Sequence, residues 1–301
     1  MRPERWMFGA AVTCAALATA PPTAAQETIL LRFRPAVGHA MQTLWWFDVT
    51  STISSGRGDD DDLTMETNGV QSLTLRVIGV DGERRTLEVT RDSMRVRTRP
   101  LEGTWRASAD TGGARPRARL TVDERLRGLD FQVANADSLT SAQIGAMRAF
   151  STGFELAFPE QAVTVGQVWA ADIVIPLDKP TGVEGEPGVS LWLSRVGEIV
   201  ARSTLTLDSL VDRGTDTLAF LQVQGTLLPT TVASAAEATE GRARLTGAVA
   251  GRLIWSTGWH AFVSGAVRLQ VRMVTFAGSP DTEIPDFTLD VDVSSRFQVR
   301  R

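Results

Sequence analysis

The chain reads as a mainly β protein: a curved or partly closed antiparallel sheet, half-barrel-like, with one short amphipathic helix covering it. Three observations predict that class. Apolar and polar residues alternate with period two over most of the length. Turn signals separate the alternating runs at hairpin spacing. Only one stretch shows three- and four-residue spacing instead.

The first 25 residues, MRPERWMFGAAVTCAALATAPPTAA, place Arg2 and Arg5 before an apolar run from Trp6 to Ala20 and then small residues. That is the layout of a secretory signal, with cleavage expected after Ala25. A lipoprotein anchor at Cys14 is the rival reading, but Ala11, Val12 and Thr13 lack the Leu and the small residue usual before such a cysteine. Loss of residues 1–25 removes the chain's one cysteine, so the remaining 276 residues are expected to fold without a disulfide, on their core alone. No later run reaches the roughly 20 apolar residues that a membrane helix needs. Removing Arg2, Arg5 and Glu4 leaves 29 basic against 34 acidic residues, a balance that gives no field toward nucleic acid.

Residues 26–137 are expected to form the first half of the sheet. In it Trp45 and Phe47 share an apolar face with Val49 and Ile53, while Trp46 points the other way with Asp48 and Thr50. SLTLRVIGV runs into Asp81-Gly82, a hairpin signal, and returns as ERRTLEVTRDSMRVRT. Residues 138–157 carry the exception. Ile144, Met147, Phe150 and Phe154 recur at helical spacing behind Ser138 or Ser141 as a cap, which predicts the covering helix over 139–154. Residues 158–301 form the second half. There Asp212-Arg213-Gly214 turns STLTLDSLV into DTLAFLQVQGTLL, and Ser256-Thr257-Gly258 turns ARLTGAVAGRLIW into WHAFV. Leu245, Val249, Leu253 and Trp255 line one face together with Gly247 and Gly251, glycines that imply bends or close approach. In VSGAVRLQVRMVTF, Val263, Gly265, Val267, Leu269, Val271 and Met273 are dry, while Arg268, Gln270 and Arg272 are wet. FTLDVDVSSRF closes the chain. Ten to fourteen strands are expected, with breaks at 55–62, 106–116, 178–188 and 229–241.

The phrase FPEQAVTVGQVW, Phe158 to Trp169, echoes RPAVGHAMQTLWW near the start, so two loosely related halves within one domain are expected. Gly166 allows a turn and Trp169 starts a strand, and nothing in the phrase can move a proton. The phrase resembles a family of bacterial exported β-rich proteins of unknown function, in which Pro-x-x-x-Val-x-Val-Gly-x-x-Trp leads into a strand after a short helix. LRFRPAVGHAM, TVDERLRGLDF and STGWHAFVSGAVRLQV extend the likeness over most of the chain, whereas GRLIWSTGW departs from the family's Gly-x-Leu-x-Phe-Asp ending. The resemblance implies export and a β-rich fold, and supplies no catalytic residue.

Chemistry is sparse. His39 and His260 are the only histidines, and there is no G-x-S-x-G and no H-E-x-x-H. GRGDDDDLT, Gly56 to Thr64, lacks the alternation of a calcium loop and reads as a solvated turn. Asp286, Asp290 and Asp292 share a strand face, where a carboxylate-based glycosidase is conceivable and a wet face is the simpler reading. No catalytic residue, metal or cofactor is therefore expected. The aromatic residues carry the functional expectation: an apolar or lipid-like ligand held by Trp45, Phe47, Met147, Phe150, Trp169, Trp255 and Trp259, with Trp46 and Trp192 as candidates for a partner surface. The alternative is an envelope structural or protein-interaction module with a filled core. A carboxylate hydrolase and an outer-membrane barrel rank below both.

Overall fold

The computed structural model describes residues 27–55, 62–109, 115, 117–134, 156–171, 173–176, 198–228, 231–233, 242–276 and 287–300. The expected signal segment with Cys14, the 139–154 helix with Met147 and Phe150, the 56–61 stretch, Trp192 and Asp286 lie outside these residues.

In the first half the strands are β1 (Thr28–Ile29), β2 (Ala40–Ser55), β3 (Leu63–Asp81), β4 (Arg84–Pro100), β5 (Arg106–Ala109), β6 (Arg117–Asp123) and β7 (Gly128–Val133). In the second they are β8 (Val163–Thr164), β9 (Val168–Ala170), β10 (Ile173–Pro176), β11 (Glu198–Asp212), β12 (Thr217–Leu227), β13 (Thr231–Ala233), β14 (Arg242–Ser256), β15 (Ala261–Phe276) and β16 (Phe287–Arg300). Fourteen of these form one antiparallel sheet along the path β10-β11-β12-β14-β15-β16-β2-β3-β4-β6-β7, with β9, β13 and β5 attached beside it. The last strand pairs with the first long one, Phe297 opposite Trp45, which joins the two halves. Among the described residues β10 and β7 do not pair, so the sheet is open.

The sheet is strongly curled. Leu120 on β6 and Trp255 on β14, six strands apart in the path, line one cavity of about 50 Å³. Flat strands about 4.8 Å apart would hold them nearly 30 Å from each other. Curling gives an inner face with two apolar clusters. The larger includes Leu75, Val77, Leu87, Val89, Leu205, Leu207, Leu221 and Trp255. The smaller, toward the other end of the long strands, joins Leu227, Leu245, Val271, Met273 and Leu289.

Two non-periodic segments fill the larger cluster. β1 pairs with β8, and the chain around them buries Leu31, Phe33, Leu156, Phe158 and Val163 inside the curl. Each such side chain stabilises the fold by about 1.5–3 kcal/mol through removal from water. Phe158 stands edge-on to Trp255 at 4.7 Å, and Trp255 edge-on to Phe262 at 5.1 Å. The β6–β7 turn ties this plug down. Phe33 N–H donates to Glu124 O at 2.8 Å, and Phe158 N–H to Arg125 O at 2.9 Å. The buried Glu124 carboxylate accepts from Arg85 at 3.0 Å and Arg34 at 2.7 Å, so the buried Arg85 is not left unpaired.

The two echoed phrases adopt the same local structure. Gly38 and Gly166 have φ of +86° and +85°, a region a side chain resists, and each is the third residue of a four-residue turn. His39 N–H donates to Ala36 O, and Gln167 N–H to Thr164 O. Gly38 N–H then reaches Val77 O on β3, and Gly166 N–H reaches Leu207 O on β11, so each turn docks on a long strand of its own half.

Several local expectations need correction. The β3–β4 hairpin turns on Gly82-Glu83, because Asp81 still pairs with Arg84. Trp259 and His260 belong to the β14–β15 turn, and β15 starts at Ala261. The Asp216 carboxylate, from another hairpin, accepts from Gly258 N–H at 2.8 Å and from Ser256 Oγ at 2.7 Å, and fixes that turn. Val263 is skipped in the register, so Phe262 rather than Val263 faces the core. Strands β5 and β13 sit within stretches expected to be breaks, at four and three residues too short for periodicity to register.

Candidate functional site

Beyond the plug the inner face of the curled sheet carries an apolar strip, the trough, in which Val249 belongs to the smaller cluster and Val267 and Leu269 pack against it. Its register follows directly from the alternation. Val223, Gly251, Val267, Ser295, Phe47 and Gly69 lie in one row across β12, β14, β15, β16, β2 and β3. The next row holds Gly225, Val249, Leu269, Val293, Val49 and Thr67. Phe47, Val49, Val267, Leu269 and Val293 are each only half-buried, so this stretch of the inner face is reachable by solvent. Its breadth depends on glycine. A Cβ at Gly69 would stand 1.9 Å from Phe47 Cζ, so the ring lies flat over the next strand instead of filling the trough.

Of the described aromatic residues expected to share a site, Trp255 belongs to the larger cluster, Trp45, Trp169 and Trp259 pack against it, and Phe47 stands outside it. Trp45 and Phe47 are on the inner face, where Trp45 stacks on Phe297 at 5.3 Å with the rings 20° apart. Trp255 is 1% exposed and belongs to the filled cluster around Phe158. Trp169 pairs opposite Leu205 at the edge β9 and packs against that cluster, its indole Nε1 buried without a hydrogen-bond partner. Trp259 lies in the β14–β15 turn, edge-on to His39 at 6.0 Å. Four of the five described aromatics thus meet at the packed cluster, and Phe47 lies on the trough beyond it. Val267, Leu269 and Val293, which complete the trough, are aliphatic residues in an ordinary dry-face pattern, so the sequence does not distinguish them from core.

The packed end leaves about 50 Å³ beside Phe33, Met41 and Phe262, room for a water or two and far below the few hundred Å³ of a typical ligand cavity. The outer face is largely polar along β15 and β16, with Ala248, Ala250 and Ile254 of β14 beside the polar residues. Arg268 Nε donates to Asp292 at 2.9 Å, and Arg272 lies 3.6 Å from Asp290. The hydrogen bond from Arg268 holds the Asp292 carboxyl below the usual carboxylate range, which suits a wet face and not a general acid. Among the described residues no group of three His, Cys, Asp or Glu is placed to hold a metal ion. Among them too, no helix is long and apolar enough to cross a membrane.

No protein-family model matches the chain, and no curated protein does. Solved structures do align with it. Lipovitellin, solved in a study of its lipid–protein interactions, aligns with a TM-score of 0.46 and 10% identity over 89% of this chain and 25% of its own, so the chain spans about a quarter of that protein. An outer membrane channel from Pseudomonas putida F1 aligns at 0.27 and 10% identity over 93% of this chain and 100% of its own. OccK7 (OpdD) from Pseudomonas aeruginosa aligns at 0.22 and 8% identity over 87% and 99%. The fold assignment rests on the strand register: a mainly β chain built on one open, curled antiparallel sheet.

Proposed function

We infer that this chain is a non-catalytic binding module, exported to the bacterial periplasm or beyond it, whose inner trough takes an apolar, lipid-like ligand. One observation carries the reading: the half-buried Phe47, Val49, Val267, Leu269 and Val293, in two adjacent rows inside a sheet whose outer side is charged. An apolar surface of that kind, on the concave side and reachable by solvent, gains by covering itself with apolar ligand. The same polarity argues against a membrane-spanning barrel, which needs an apolar outer band. Here Gln222, Gln224, Arg252, Arg268 and Gln270 are carried on the outer side.

A second reading is an envelope interaction module with a filled core. The 50 Å³ remainder at the packed end favours it, because no acyl chain fits there. Native mass spectrometry of the protein purified from its own host separates the two. A retained apolar small molecule supports the binding module. A co-purifying protein with no small molecule supports the interaction module and overturns the first reading.

A further inference from the structure

We propose a second site on the outer face of the sheet: a groove across β16, β2, β3, β4 and β5 that binds a phosphate-bearing anion through Arg95, Arg97 and Arg296. It lies on the opposite side of the sheet from the apolar trough and does not depend on it.

The groove encloses about 450 Å³ and is lined by these arginines together with Trp46, Val70 and Ala107 among others. Register explains the assembly. Trp46 is opposite Arg296, Asn68 opposite Arg97, Val70 opposite Arg95, and Arg97 opposite Ala107, so alternate residues of five strands face one hollow. The small side chain of Ala107 leaves its depth.

Two of the three arginines, Arg97 and Arg296, are oriented by aromatic rings and not neutralised by acids. The Arg296 guanidinium lies 5.2 Å from the Trp46 ring centre, and those of Arg97 and Arg99 each lie 4.6 Å from that of Trp105. Stacking of this kind restrains a guanidinium while leaving its N–H donors free. Three other outer-face arginines are matched, Arg268 with Asp292, Arg272 with Asp290 and Arg99 with Glu66 at 2.6 Å, whereas Arg202, Arg244 and Arg252 stand apart from one another on the face and do not converge on a groove. Among the described residues Arg95, Arg97 and Arg296 have no carboxylate partner. One acid enters the groove, Asp48, whose Oδ1 accepts from Asn68 Nδ2 at 2.5 Å. Three guanidinium groups therefore face one carboxylate, within a chain whose net charge is −4.

That imbalance selects the ligand class. Arg95 and Arg97 are two residues apart on one strand face, roughly 7 Å along the strand, where like charges repel. A bound anion relieves the repulsion. Phosphate carries up to two charges and three acceptor oxygens, which suit the forked donors of more than one arginine. A lone carboxylate offers a single charge and two oxygens.

The test uses the folded protein in low-salt buffer, with pyrophosphate as the free anion and vesicles of phosphatidylcholine with or without phosphatidic acid, a phosphate monoester, as the lipid source. Tryptophan fluorescence and vesicle co-sedimentation are the readouts. Saturable pyrophosphate binding, weakened about tenfold or more in Arg95→Gln/Arg97→Gln, supports a soluble phosphate ligand, since a charge-assisted pair contributes about that factor. Sedimentation with phosphatidic acid vesicles but not with phosphatidylcholine alone, lost in the same variant, supports a phospholipid headgroup. Arg268→Gln, altering a matched arginine on the same face, is expected to bind as the wild type does. No binding of either probe, binding unchanged in the double variant, or an equal loss in Arg268→Gln would overturn the proposal.

Discussion

Replacing Phe158 by Ala removes the ring at the centre of the plug and little else. Phe158 is fully buried and meets Trp255 at 4.7 Å and Phe262 at 5.7 Å. Its polar contacts use only backbone: its N–H donates to Arg125 O, and its O accepts from Arg125 Nε at 2.6 Å. Both survive the substitution, so the change isolates apolar packing. Loss of a buried Phe ring costs about 3–5 kcal/mol, combining lost transfer energy with the void left behind. The upper part of that range is expected here, because Trp255 and Phe262 also wall the existing 50 Å³ cavity and the new space joins it. Edge-to-face contact adds about 0.5–1.5 kcal/mol of the total. Urea unfolding followed by tryptophan fluorescence reads the loss, since Trp255 reports on this cluster. A midpoint corresponding to less than about 0.5 kcal/mol of change, the size of a surface substitution, would refute the view that this segment is a structural plug.

Other outcomes follow from single contacts. Asp216 loses solvation by partial burial, but hydrogen bonds from Gly258, Ser256 and Thr257 and the charge of Arg213 outweigh this and hold its pKa below the ordinary 3.8. The folded value is below the unfolded one, so its stabilisation is complete above about pH 4 and is lost as pH falls through the depressed value. Asp216→Ala is expected to cost about 1–3 kcal/mol at pH 7 and to flatten the acid limb of the stability curve, measured by urea unfolding at several pH values. Glu124→Ala strands the buried Arg85 and is expected to cost about 3–5 kcal/mol, whereas Glu66→Ala, whose pair is half-exposed, costs about 1 kcal/mol or less, as thermal unfolding would show. Gly166→Val forces a β-branched residue to φ +85° and is expected to cost about 1–3 kcal/mol, although its Cβ would meet nothing within 4 Å.

Much of this architecture is legible in the sequence because period-two alternation maps directly onto a sheet with one dry and one wet face. Val267 and Leu269 inward with Arg268 and Gln270 outward is the pattern read straight from VRLQV, and the register retains it. What resisted prediction was set by distant residues. Pairing of β16 with β2 joins segments more than 200 residues apart, and no local signal encodes it. Phe158 looks like a loop residue, and only the curled sheet around it makes it core. Trp259 fell on the wrong side of a strand boundary because Asp216, 42 residues earlier than Gly258, holds the turn. The basic groove had a visible cue in RVRTR, where Arg95, Arg97 and Arg99 share one face, but its partners Trp46, Trp105 and Arg296 come together only through register.

The inner trough is tested most directly by titrating delipidated protein with a fluorescent fatty acid, in the wild type and in Leu269→Asp. Leu269 is half-buried in the middle of the trough, opposite Val249 and Val293, and away from the plug. Saturable binding to the wild type is expected, with a loss of at least about tenfold in the variant, which places a charge where the acyl chain would lie. Urea unfolding of the variant establishes that it is folded before binding is compared. Absence of saturable binding in folded wild-type protein, or equal binding by folded Leu269→Asp, would contradict a ligand-binding trough.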